Sequence, residues 1–214
     1  RGLKDWVHGS GSSPLSGNRH YWHSEYMSHH RKGYFTSARF YSERTSSTDG
    51  IHNGEGLKSH HLAGGANFLM LQGDEYDRAF PVWDWKKVPG TTIVQDGDFD
   101  AAPNQRGRTS FAGGVSDGAF GAAAFVLEND WLEAKKAWFF FDNAYVWAGN
   151  GIHSDASEHV VTTINQCSLA SDVAVGSRNR WATIPEGSSA FPCGEWVHHG
   201  SVLYIPKPGM DVFV

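Results

Sequence analysis

The sequence predicts an all-β fold of short antiparallel strands arranged in stacked sheets. Three observations lead there. Runs of β-branched and aromatic residues recur at strand length, glycine, proline and asparagine punctuate them at short intervals, and no 3.6-residue apolar period is sustained anywhere. Roughly ten to fourteen strands fit between these turn signals. The chain of 214 residues is long enough to bury a sizeable core and shows no internal repeat.

Residues 8–18, HGSGSSPLSGN, read as a polar loop. We expect 1–18 to be a linker and 19–214 to be the β-domain. Tyr26 to Arg31 and Tyr34 to Ser42 alternate as two strands of a hairpin turned at Lys32-Gly33. Phe68 to Gln72 and Val82 to Val88 are the next candidate strands, the latter placing Trp83 and Trp85 on one face. Asp96 to Arg108 is a polar excursion. Ala119 to Leu127 is Ala-rich, but its glycines favour a strand buried on both faces over a helix. Ala137 to Phe141, a turn at Asp142-Asn143 and Ala144 to Ala148 make a second hairpin. His159 to Gln166 alternates as a strand, and Trp196 to Ile205 reads as a third hairpin.

Charge and composition exclude some functions. A net charge of −5 argues against nucleic acid or an anionic membrane as the main partner, while leaving room for a local basic groove and an acidic polysaccharide. No stretch approaches the ~18 apolar residues of a membrane-spanning helix. Nine Trp and 14% aromatic residues suit either a β-rich core or sugar-stacking faces. Cys167 and Cys193 lack the C-x-x-C spacing of zinc or redox sites and permit one disulfide without requiring it. The chain begins at Arg1 without Met and without a signal peptide, which reads as a mature product or a fragment.

The stretch His52 to Thr92 organises the rest. It opens with Asn53-Gly54-Glu55-Gly56, in which flanking glycines let a carboxylate be aimed from a tight loop. It continues through His60-His61 and closes with Phe80-Pro81-Val82-Trp83-Asp84-Trp85 and Pro89-Gly90-Thr91-Thr92. An isolated N-G-E-G would be a decorated turn; its neighbours give it meaning.

These segments, together with Tyr26-Met27, His30-Arg31, Lys135-Lys136-Ala137-Trp138-Phe139, Gly149 to Ile152, Val161-Thr162-Thr163 and Trp196-Val197-His198-His199 with Tyr204, resemble in order the central β-domain of polysaccharide lyase family 8. Glu55-Gly56 and Phe80-Pro81-Val82-Trp83 look most like the chondroitin ABC-type branch. The resemblance implies an antiparallel super-sandwich of the galactose-mutarotase-like kind, the central module of a larger α+β lyase that is secreted or periplasmic. It implies β-elimination next to a uronic acid in chondroitin or dermatan sulfate or hyaluronan. A base takes the proton α to the carboxyl group, the carboxylate is neutralised, and the leaving oxygen is protonated. In the family the Tyr, His, Asn and Arg residues for this chemistry sit on a preceding helical toroid, and nothing here matches that motif. Glu55 alone carries over, as the Glu that reaches across and orients an Arg paired with the catalytic Tyr through charge-assisted hydrogen bonds.

Asn53 and His61 beside that loop are expected to meet substrate; His60-His61 stands where many relatives have Gly-Trp, so sugar contacts there differ. Arg31 offers a fork for a carboxylate or sulfate, with a structural ion pair as the alternative. Twelve His suggest a metal, but no ligand spacing such as H-E-x-x-H occurs, and strand neighbours point to opposite faces. No cofactor is expected, with calcium on the acidic loops the alternative. No G-x-S-x-G nucleophile occurs. The competing function is a non-catalytic carbohydrate-binding or structural β-sandwich module.

Overall fold

The computed structural model describes residues 15–48, 58–97, 105–177, 180–185 and 195–214. Among them are fourteen strands and no α-helix. The chain divides into two compact units, Arg1–Gln166 and Cys167–Val214. In the first, β1 (Gly17–Tyr21), β2 (Tyr26–Arg31), β3 (Tyr34–Arg39) and β4 (Ala66–Met70) form one antiparallel sheet in chain order. The short strand β5 (Thr92–Val94) lies apart from it. Next, β6 (Ala112–Ser116), β7 (Gly121–Glu128), β8 (Leu132–Phe140) and β9 (Tyr145–Ser154) form a second antiparallel meander, and β10 (Val160–Thr162) returns to pair with β5.

The two meanders stack because each strand alternates apolar and polar residues and so has one apolar face to bury. Met27, Ala38 and Phe40 come from the first sheet and its continuation. Ala123, Phe125, Leu127, Leu132, Ala134, Trp138 and Phe140 come from the second, and all join one core. At its centre Phe40, Phe125 and Trp138 stack with centroids 5.7–6.1 Å apart. Each fully buried large side chain contributes about 1.5–3 kcal/mol. At one end the sheets nearly touch: a Cβ at Gly121 would collide with the Asn18 side chain.

The second unit is one sheet in the order β12 (Arg180–Ile184), β11 (Val173–Ser177), β13 (Trp196–His199), β14 (Val202–Tyr204). Val175, Ile184 and Val197 form its small core, with Val173, Tyr204, Val212 and Val214 packed against them.

The three hairpins appear at their expected turns. Four expectations need correction. Val82 to Val88 is not a strand: Phe80–Val82 is a 3-10 turn, and the Asp84 side chain and carbonyl accept from Lys86 N at 3.0 Å and Lys87 N at 2.9 Å, bending the chain before Pro89. Trp83 and Trp85 therefore do not share a strand face; they meet edge to face at 5.4 Å, with Trp83 buried. In β7 only Ala123, Phe125 and Leu127 are buried, so one face is covered, not two. The neighbouring β8 alternates in the same way, with Trp138 and Phe140 in the core and Phe139, and Phe141 just beyond it, exposed. The ladder in 159–166 stops after Val160–Thr162 because β5, its partner, has only three residues.

Candidate functional site: the stem of the Glu55 loop and the latch behind it

Asn53 and Glu55 lie outside the described residues. The two arms that lead to them are described, and both are anchored. The incoming arm is held by Glu25 of the β1–β2 turn, which is almost fully buried and collects Ser42 Oγ at 2.5 Å, Thr45 Oγ1, and Arg44 Nη2 at 2.7 Å. Arg44 also donates to the carbonyls of Ser110 at 2.8 Å and Ala112 at 2.9 Å, tying this arm to the second sheet. A buried carboxylate is tolerated because three donors replace its water. Beyond it, Ser47 N donates to Gln105 O at 2.9 Å, and Ser46 bridges Arg106.

The outgoing arm begins where the Thr48 and Ser59 hydroxyls hydrogen-bond each other, closing the loop at its neck. A 3-10 turn over His60–Ala63 follows, its His60 and His61 rings edge to face at 4.8 Å. Gly65 N then donates to Arg39 O at 3.0 Å and delivers the chain into β4. His61, expected to contact substrate, thus sits half-buried on the arm that follows Glu55.

Behind this arm the motifs at Pro89-Gly90, Thr163 and Lys136 converge on one point. Asn67 N donates to Pro89 O at 2.8 Å, Gly90 N to Thr163 O at 2.8 Å, and Lys136 Nζ to Gly90 O. The Asn67 amide donates to Thr36 Oγ1 at 3.0 Å and Ser37 O at 2.6 Å. Gly90 has φ +84°, and a Cβ there would stand 2.6 Å from Gly65 O, so only glycine fits. Burial pushes the Lys136 amine down to about 7, and its Nζ sits 5.9 Å from the Trp138 ring. This latch joins both large sheets and the β5–β10 pair.

Arg31 is committed to the framework. Its Nε donates to Asp142 at 2.9 Å, Nη1 to His30 O at 3.0 Å and Nη2 to Ala119 O, and the guanidinium lies 5.1 Å from the Phe120 ring. These contacts supply the structural ion pair, one of its two alternatives. Of the adjacent histidines, His29 points inward, donating to Phe141 O at 2.7 Å, and His30 points outward against Phe35. No group of three or more His, Cys, Asp or Glu among the described residues is placed to hold a metal. Cys167 Sγ stands 3.7 Å from His199 Nδ1, and Cys193 lies outside the described residues.

A base for elimination must be deprotonated near neutral pH and open to substrate. Burial pushes the Tyr34 hydroxyl to about 12, and Tyr26 and Tyr41 also shift upward, so none of these three is suited to that task. Burial lowers His29, but its ring is closed inside the sandwich. What the described arms offer is a set of anchors on both sides of residues 49–57. Sequence reasoning missed Glu25, since an isolated Glu carries no signal of burial; it quoted Lys136 as part of a motif but not its burial, which its alternation in phase with Ala134 and Trp138 signals.

The chain belongs to polysaccharide lyase family 8, whose super-sandwich domain matches residues 16–214. It is similar to chondroitinase-AC of Pedobacter heparinus, 42% identical over 149 residues, which covers 68% of this chain and 21% of that protein. It is also similar to a hyaluronate lyase of Thermasporomyces composti, 30% identical over 180 residues, covering 79% and 23%. A chondroitinase AC lyase solved in enzyme–oligosaccharide complexes superposes with a TM-score of 0.80 at 35% identity, covering 92% of this chain and 29% of that one. The chain therefore spans under a third of the length of these relatives. Among the described residues no helix is long and apolar enough to cross a membrane.

Proposed function

We propose that this chain is the β-domain of a secreted or periplasmic lyase that cleaves uronic-acid-containing glycosaminoglycans by β-elimination. Membership in the family over residues 16–214 is the observation that carries the reading. The named relatives are a chondroitinase and a hyaluronate lyase, which favours chondroitin sulfate or hyaluronan as the polymer.

In this proposal Glu55 projects from the loop whose neck is Thr48–Ser59 and accepts hydrogen bonds from an Arg on a preceding helical domain. That Arg, held in one orientation, steadies the catalytic Tyr beside the α-proton of the uronate. Asn53 and His61 meet the sugar from either side of Glu55, while Arg31 supports the sheet. The anchored arms support this role, because a carboxylate that positions another residue must itself be fixed to within about 0.5 Å.

The test is an absorbance assay for the unsaturated uronate product. Chondroitin sulfate and hyaluronan are offered to the 214-residue chain and to a protein that joins it to the helical domain. We expect turnover only from the joined protein. Robust turnover by the chain alone would refute the split site, and no product from either would refute the lyase assignment.

A further inference from the structure

The outward face of the first sheet has a composition that the proposed chemistry does not use. Residues directly opposite in antiparallel strands share a face, so the register arranges this face in rows. One row is Tyr21, Tyr26, Arg39 and Ala66; the next is Arg19, Ser28, Ser37 and Phe68; the third carries His30 and Phe35. Ser28 is small and, with Ser24, lines a depression of about 500 Å³. The Tyr21 and Tyr26 rings, 6.0 Å apart, wall one end, and His30 and Phe35, 4.5 Å apart, wall the other.

The charge on this face is one-sided. Arg19 lies over the Tyr21 ring at 5.5 Å, and Arg39 stands beside Tyr26 in its row. Both side chains are exposed, neither has a carboxylate partner among the described residues, and these three rows contain no Asp or Glu. In a chain of net charge −5, two guanidinium groups without a carboxylate partner among the described residues favour an anion. Flat rings around a shallow, mostly apolar groove with guanidinium groups beside it suit a charged sugar better than a compact ion.

We propose that this face binds an acidic oligosaccharide, its sugar rings lying along the Tyr21–Tyr26 and His30–Phe35 walls and its carboxylate or sulfate groups forked by Arg19 and Arg39. The row holding Arg39 ends at Ala66, just after the arm that carries His61, since Gly65 N bonds Arg39 O. The choice of a uronate polymer as ligand rests on the lyase reading; the binding itself rests on the face.

Calorimetric titration of the 214-residue chain with a chondroitin sulfate hexasaccharide, and with a neutral maltohexaose, tests this. We expect the acidic hexasaccharide to bind and the neutral one to bind about tenfold or more weakly. An Arg19→Ala/Arg39→Ala variant, checked for an unchanged thermal melt, should lose about tenfold or more in affinity. Equal affinity for both sugars, unchanged affinity in the double variant, or no binding by the parent overturns the groove. If the double variant melts early, Arg19→Lys/Arg39→Lys decides: it keeps the charge but loses the fork, and unchanged affinity there also overturns the forked contact. Each of these results leaves the product assay of the joined protein untouched, so the groove can fail while the lyase reading stands.

Discussion

The latch at Gly65, Asn67, Gly90 and Lys136 and the loop neck at Thr48 and Ser59 lie on the same unit and were built by different demands. The latch is buried, glycine-dependent and crossed by hydrogen bonds from three sheets. The neck carries the Thr48–Ser59 hydroxyl pair at the two ends of a polar stretch of sequence. The motifs that reveal the family, Pro-Gly-Thr-Thr and Lys-Lys-x-Trp-Phe, are mostly latch. Recognition thus came from residues that hold the sheets together, and the residue expected to act, Glu55, rides on them. Changes at the latch should alter stability first, and changes on the loop should alter turnover first.

The largest separation concerns Lys136. Its folded value is about 7 against an ordinary 10.5. Above pH 10.5 both states are neutral and nothing is lost. As pH falls from 10.5 towards 7 the unfolded chain takes up a proton that the folded one refuses, so stability declines; below 7 both are charged and the loss is constant. Urea unfolding of the parent and of Lys136→Met should diverge by on the order of 4 kcal/mol across that window, the variant losing less as pH falls. Parallel curves would remove the buried amine from the account.

Gly90→Ala comes next. It combines positive φ with a contact of 2.6 Å to Gly65 O, and should cost about 3 kcal/mol. Thermal melts should show this while the Glu55 loop sequence is untouched. A loss below about 0.5 kcal/mol would mean that the latch yields.

Arg31→Ala is the smallest of the three. Losing the Asp142 and Ala119 contacts and the Phe120 stack should cost about 1–2 kcal/mol, reduced because Asp142 is mostly exposed. In the joined lyase KM should stay within about twofold. A large rise in KM with unchanged stability would return Arg31 to substrate binding.

These differences track what could be read from the chain. The hairpins at Lys32-Gly33 and Asp142-Asn143 were legible because alternation and turn chemistry are local. The length of β10 was not, because its ladder ends where Thr92–Val94 ends, about seventy residues earlier in the chain. Trp83 and Trp85 looked like strand residues by type, yet the turn at Asp84 overrode that preference. Glu55 was visible only through resemblance. For Arg31 the deciding partners, Asp142 and Ala119, come from distant turns that no spacing announces.

Glu55 bears the central claim, and steady-state kinetics of Glu55→Gln in the joined lyase tests it most directly. The substitution keeps shape and removes the charge that fixes an Arg, a change worth about 1.5–3 kcal/mol. The account predicts a turnover number lower by about ten- to a hundredfold, with KM little changed and the melting temperature equal to the parent's. A variant with full turnover would reduce Glu55 to a turn residue and contradict the account.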